Sequence, residues 1–345
     1  MRPHLEEVHG FSQKHWRYVN ERSGKFREGI LQSGTVLYLT TGKPEGQGSQ
    51  NAASGQNGAE SGKQGATAGQ NGAEEGQNGA ASGQSGAAAQ ERETVTFSQS
   101  WKYAEFSKIN TGSATLHRST AENKKNKTVC VNAGHGTKGG SSVKTQCHPD
   151  GTPKVTGGST EAGATKVVAV SSGMTFADGT PESQVTLSMA KILRDRLLAE
   201  GYDVLMIRDS DDVQLDNIAR TVMANNRVDC HIALHWDSTT NDKGAFYMSV
   251  PSNSTYRAME PVASQWQNHH RLEDALVGGL RNAGVKIFSG GSIATDLTQT
   301  SYSTIPSVDI ELGDKVSDHS DGTLNRLAEG LTAGVNAFFG YTNLQ

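Results

Sequence analysis

Apolar residues fall into regular rhythms only from about residue 127 onward. Residues 128–132 and 230–235 are short apolar runs that read as strands, each ending at or just before a histidine. Residues 183–200 carry Val185, Met189, Ile192, Leu193 and Leu197 on one side of a helix, and Gly201 ends it. The pattern then predicts a strand over 203–207, a helix over 213–225, a strand over 245–250 and a long helix within 259–283. A strand over 307–312 and a closing helix over 324–339 complete it. Strand and helix alternate, so the prediction is an α/β domain with helices covering a sheet and active residues at strand ends.

Composition changes the picture before that point. Residues 44–90 are almost entirely Gly, Ala, Gln, Asn, Ser and Glu. The unit Gly55-Gln-Asn-Gly-Ala59 recurs from Gly69 and Gly76, with degenerate copies from Gly62 and Gly83. A seven-residue period suggests a coiled coil, but no large apolar residue fills the a and d positions, and the glycines penalise a helix. The tract therefore reads as a disordered tether with a reach on the order of 35–40 Å. The predicted organisation is an unassigned segment 1–43, a linker 44–91, an aromatic-bearing lead-in 92–126 and a main α/β domain 127–341. The lead-in holds Phe97, Trp101, Tyr103 and Phe106, which suit packing against the main domain.

Other function classes are narrowed by charge and hydropathy. The net charge of −4, without a long basic block, argues against nucleic acid as a partner. No stretch reaches the ~18 apolar residues of a membrane span. Residues 30–41 follow Lys25 and Arg27 as in an export signal, but Gln32, Ser33 and Gly34 interrupt the run and no convincing cleavage site follows. The three cysteines do not make a disulfide framework: Cys130 and Cys230 read as buried small hydrophobes, and only Cys147, beside His148, invites a chemical reading.

The candidate chemistry lies at the strand ends. His135 sits in Gly134-His135-Gly136 after one apolar run, and His235 ends another. Two histidines and a carboxylate on separate elements form the open zinc pattern, with a fourth position left for water. Glu182 is the preferred carboxylate because Thr180 and Pro181 look like the cap and first position of a helix that would anchor it. Glu161, in a Gly/Ser/Thr loop, is the rival. His231, about 13 Å back along an extended strand, is too far to share the ion and reads as structural. Asp309 and Glu311 share one face of an otherwise apolar strand, where charge is costly unless it is paired or catalytic. Glu311, nearer the strand end, is the candidate general base. Asp309 is its neighbour or a structural hydrogen-bonding group. Asp237, Asp296, Thr298, Gln299 and Tyr302 are candidate groove residues, equally readable as ordinary polar positions.

In order, these residues resemble the zinc-dependent N-acetylmuramoyl-L-alanine amidases of the Amidase_3 type, which cleave peptidoglycan. The likeness runs through Val131-Asn-Ala-Gly-His-Gly136, Glu182-Ser-Gln-Val-Thr-Leu187 and Gly201-Tyr-Asp-Val-Leu-Met-Ile-Arg208. It continues through Arg220-Thr-Val-Met-Ala-Asn225, Ile232-Ala-Leu-His235 and Ile310-Glu-Leu-Gly313. The resemblance implies a phosphorylase/hydrolase-like fold with a central, mostly parallel twisted sheet, Zn2+ held by His135, Glu182 and His235, and Glu311 as the proton-transferring group. It implies a peptidoglycan substrate and an extracellular or cell-wall location in a bacterium.

Three departures accompany it. The loop from His135 to Glu182 is longer than in simple members and includes Cys147, His148 and glycines through Gly173. Trp236 and Asp237 replace the small residue and Asn that often follow the third ligand. Asp314-Lys-Val-Ser-Asp318 replaces the usual aromatic and Ser-Asn. The rival readings are a zinc carboxypeptidase, which needs a fixed cation that Arg208, Arg220, Arg257 and Arg271 do not obviously supply, and a non-catalytic cell-wall-binding module.

Overall fold

The computed structural model describes residues 14–19, 26–31 and 91–341. The chain divides into two units, Met1–Ala81 and Ser82–Gln345. In the first, β1 (Lys14–Val19) pairs antiparallel with β2 (Phe26–Leu31), Lys14 opposite Leu31. The repeats of the expected tether, and the signal-like run beyond Leu31, lie outside the described residues.

The second unit is built on ten further strands. They are β3 (Arg92–Thr96), β4 (Ser113–His117), β5 (Thr128–Ala133), β6 (Lys144–Gln146), β7 (Lys166–Val168), β8 (Asp203–Met206), β9 (Cys230–Asp237), β10 (Ala245–Ser249), β11 (Ile287–Ala294) and β12 (Ser307–Asp314). Its helices are α1 (Glu182–Ala199), α2 (Asn217–Arg227), α3 (Ser254–Ala258), α4 (Val262–Asn282), α5 (Thr298–Tyr302) and α6 (Asp321–Phe338). Eight strands form one sheet in the order β11-β10-β12-β9-β5-β8-β4-β3. The four central strands, β12, β9, β5 and β8, are mutually parallel, and β10 and β4 run antiparallel to them on either side. The expected mostly parallel central sheet flanked by helices is the observed architecture.

Burial on both faces explains why the central strands read as nearly continuous apolar runs. Val129, Val131, Ile232, Leu234, Val308 and Ile310 point into one core, with Val185, Met189, Leu193 and Leu197 of α1 and with Leu272, Leu276, Leu327 and Leu331 of α4 and α6. Cys130, Leu205 and Ile207 point the other way, against Ala219 and Met223 of α2. Complete burial of a leucine is worth about 1.5–3 kcal/mol, so the α1 stripe is a main anchor of the sheet.

Several boundaries differ from expectation for identifiable reasons. The second helix starts at Asn217, not near 213, because Asp216 caps it by accepting from the Ala219 N–H at 2.8 Å. Helix α1 starts at Glu182, with Pro181 in the cap position in place of Thr180. The lead-in supplies β3 and β4, which extend the same sheet antiparallel at one edge. Strand β11 lies outside the predicted elements: Ser289, Gly290, Gly291 and Ser292 interrupt its apolar pattern, and pairing with β10 supplies the regularity. Gly201 ends α1 as predicted, with a φ of 96° and no room for a side chain against the Asn123 carbonyl. The sheet thus delivers the ends of β5, β9 and β12 side by side at its centre.

Candidate metal centre and active site

His135 follows β5 after the single residue Gly134 and adopts a left-handed φ of 64°. Two buried arginines hold that turn. Arg220 donates to the carbonyls of Ala133 and His135, at 3.1 and 2.6 Å, and Arg208 donates to the Gly134 carbonyl at 3.0 Å. The turn is also tight: a Cβ on Gly134 would fall 2.3 Å from the His235 ring, so glycine is what lets that ring lie there.

Three donor atoms converge at this place. His135 Nε2 lies 2.8 Å from Glu182 Oε1, and His235 Nδ1 lies 3.0 Å from His135 Nε2 and 3.2 Å from Glu182 Oε1. Tetrahedral zinc with bonds near 2.0–2.1 Å requires ligand atoms about 3.3 Å apart, so the set is of the right size. The outer contacts orient it. The Nδ1–H of His135 donates to the Ser171 carbonyl at 2.8 Å, which turns the Nε2 lone pair inward. Glu182 accepts from the N–H groups of Met174 at 2.8 Å and Trp236 at 3.0 Å. His235 Nε2 faces Asp309 Oδ2 at 3.7 Å, an ion-pair distance.

Electrostatics favour positive charge at this point. Burial alone would raise the Glu182 carboxyl, but the His135 and His235 rings beside it outweigh burial and hold it far below the usual range. Burial would lower His235, yet Asp309, Glu182 and Glu311 raise it to about 10. The carboxylates that favour a proton there also favour a metal cation. The residues present therefore fit a zinc ion in donor type, spacing and charge.

Glu311 completes the arrangement. It is the register partner of His235 across β12 and β9, so both side chains leave the sheet on one face. Burial pushes its carboxyl well above the ordinary value, and the His235 charge opposes that. Its Oε2 is buried without a hydrogen-bond partner. Asp309, two residues back, is likewise raised by burial.

Beside His235 and Asp309 opens a cavity of about 290 Å³. Thr298, Gln299 and Asp296 stand in its wall together with Lys154 and residues 157–160 of the long loop. Asp296 is committed to the loop itself: it accepts from His148 at 3.0 Å, Lys154 at 2.9 Å, and the N–H groups of Val155 and Thr156 at 2.7 and 3.0 Å. Gln299 uses its amide nitrogen on Ser307 and Val308, each at 2.8 Å. Asp237 is ion-paired with Lys243. Tyr302 is buried away from the cavity, edge-on to Tyr103 and Phe106. Glu161 is exposed and stands outside the His135, Glu182, His235 group. Cys147 is buried, its thiol raised by burial, and His148 is hydrogen-bonded to Asp296 at 3.0 Å.

Sequence reasoning missed the backbone groups of Ser171 and Met174, which no side-chain pattern announces. It also missed the role of Asp296 as the anchor of the loop. Lys154 and Asp296 are opposite charges separated by a long stretch of chain, with no local signal that they meet.

Two inward histidines and a carboxylate at the centre of an α/β sheet, beside an unpaired buried carboxylate, are the kind of centre metallohydrolases use. The family model for N-acetylmuramoyl-L-alanine amidase (Amidase_3) matches residues 129–331, and the chain belongs to that family. Among solved structures, the N-acetylmuramyl-L-alanine amidase of Mycobacterium smegmatis is 20% identical, with 64% of this chain and 99% of that one covered and a TM-score of 0.48. The N-acetylmuramoyl-L-alanine amidase of Nostoc punctiforme is 16% identical, covering 63% of this chain and 99% of that one, with a TM-score of 0.45. No curated protein sequence matches the chain significantly.

Proposed function

We propose that the chain is a zinc-dependent hydrolase that cleaves the amide between N-acetylmuramic acid and L-alanine in bacterial peptidoglycan, with Glu311 as the proton-transferring group. The observation that carries this reading is Glu311 Oε2, buried without a partner beside three convergent metal donors. An unpaired buried carboxylate is costly, and its retention suits a group that receives a proton during reaction.

His135, Glu182 and His235 would hold the zinc, which would supply Lewis acidity toward the attacking water and the scissile carbonyl. Glu311 Oε2 takes one proton from the attacking water and returns it to the amide nitrogen, without which the amine is a poor leaving group. Asp309 Oδ2, 3.7 Å from His235 Nε2, would orient that ring. One C–N bond breaks, one C–O bond forms, and the products are the lactyl carboxylate of muramic acid and the free amine of L-alanine. Cleavage of cell-wall peptidoglycan implies action outside the bacterial cytoplasm.

The carboxypeptidase reading loses support from the arginines. Arg208 and Arg220 are spent on backbone carbonyls, Arg257 donates to the Pro251 carbonyl at 2.8 Å and covers Trp266, and Arg271 lies over Phe338. None of the four is free at the cavity to hold a terminal carboxylate. Mass spectrometry of products from purified sacculi tests the proposal: stem peptides with a free L-alanine amine are expected. Stem peptides shortened from the C-terminus would support the carboxypeptidase, and no release from any peptidoglycan would support a binding module.

A further inference from the structure

The two ligands nearest each other, His135 and Glu182, are separated in sequence by the long loop, yet one short arch at the end of that loop touches both. At residue 171 the backbone carbonyl accepts the His135 Nδ1–H at 2.8 Å. At residue 174 the backbone N–H donates to Glu182 Oε2 at 2.8 Å, and the Met174 carbonyl accepts the Glu182 N–H at 3.0 Å. Met174 and Glu182 thus exchange a reciprocal pair of hydrogen bonds, which fixes the carboxylate relative to its own backbone. Between these contacts stands Gly173, with a φ of 82° and its N–H bonded to Ser171 Oγ at 3.1 Å. A Cβ there would lie 2.8 Å from His135 Cδ2, 2.9 Å from His135 Cγ and 3.0 Å from Glu182 Oε2. Both ligand side chains are packed into the space that a side chain at residue 173 would take.

We infer that the arch of residues 171–174, with Gly173 as its critical member, is a positioning element that sets the imidazole of His135 and the carboxylate of Glu182 against each other for metal binding. The arch makes the long loop part of the metal centre, because its last residues supply the outer hydrogen bonds of two ligands at once. Ser171 and Ser172 also stand in the wall of the cavity, so the element that orients the ligands borders the space beside them. Gly173 packs against the side chains of both candidate ligands, so its effect should appear first in metal affinity. This inference rests on the zinc reading given above, and its test separates the two.

The experiment is zinc affinity by chelator competition, together with the visible spectrum of the cobalt-substituted protein, for the full chain and its variants. Loss of an outer-shell contact typically weakens metal binding about 10–100-fold, and Gly173→Ala should fall in that range with an altered cobalt spectrum. Gly163→Ala and Gly179→Ala are the controls, since both glycines have positive φ, 89° and 91°, and no atom within 4 Å of an added Cβ. They carry the same backbone strain without the clash and should bind zinc as the parent chain does. Gly173→Ala binding within about twofold of the parent, or controls losing as much, would overturn the inference. If Gly173→Ala does not fold, Ser171→Ala decides: removing the hydroxyl that holds the Gly173 N–H should weaken zinc binding roughly twofold to tenfold, and unchanged affinity would count against the arch. A parent chain that binds no zinc would defeat the metal reading itself.

Discussion

Glu311 and His235 are register partners on neighbouring parallel strands, so the candidate base and a candidate ligand are fixed by one pair of β-sheet positions. A sheet holds such a pair more rigidly than a loop does, and catalysis that moves one proton over a short path depends on that rigidity. The same pairing sets Asp309 opposite Ala233, which brings its carboxylate to the Nε2 side of His235.

The ligand set is checked by metal analysis. His135→Ala and His235→Ala should each lose nearly all bound zinc, and Glu182→Ala should lose most of it. A metal that binds only the native state stabilises it by mass action, about 2.7 kcal/mol at a hundredfold excess over Kd. Chelation should therefore lower the melting temperature of the parent chain and leave that of the His135→Ala protein nearly unchanged.

Asp296 tests the attachment of the long loop. Its replacement by Ala would leave the Lys154 ammonium buried without its carboxylate, a loss that typically costs about 3–5 kcal/mol. Chemical denaturation should show a drop of that order. Hydrogen exchange should show the amides of Val155 and Thr156, which donate to Asp296, becoming unprotected first. An unchanged denaturation midpoint would mean that the loop is held elsewhere.

The architecture was legible where burial dictates the pattern. The apolar runs of β5, β9 and β12 and the Val185–Leu197 stripe of α1 gave their elements directly, and the glycine-flanked His135 announced a strand-end site. Glu182 was legible as the first-turn carboxylate of a helix. The sequence was silent where backbone groups or distant charges act. The Ser171 carbonyl, the Met174 N–H and the Asp296–Lys154 pair leave no periodic trace. Strand β11 was hidden because Gly290 and Gly291 erase the alternation that pairing with β10 restores. Asp237, a candidate groove residue, is ion-paired with Lys243, a pairing that depends on the turn between β9 and β10.

Stability against acid should depend on His269. Its ring is buried, with Nδ1 accepting the Ser307 N–H at 2.9 Å, and burial lowers its pKa to about 4. His231, also buried, is lowered to about 3 by burial and by Arg220. In the unfolded chain both protonate near 6.5. Between that value and the folded pKa the unfolded state binds more protons, so stability falls as pH falls from about 6.5 toward 4. Glu273, raised by burial to about 7, has the opposite sign and offsets part of the slope over the same range. His269→Gln keeps an acceptor for Ser307 and removes one titrating group. Its stability should vary less steeply between pH 6.5 and 4, by roughly 1.4 kcal/mol per pH unit. Denaturation at a series of pH values measures this, and parallel curves for parent and variant would refute it.

The most direct test of the account is sacculus hydrolysis by the Glu311→Gln protein with its zinc content measured in the same sample. Gln keeps the shape and removes the proton acceptor, and Glu311 is not assigned as a ligand, so zinc should remain bound. Removal of a general base typically costs about 10²–10⁴ in rate, and release of stem peptides should fall by at least that order, while Asp309→Asn should lose much less. Near-parental hydrolysis by zinc-loaded Glu311→Gln would contradict the account.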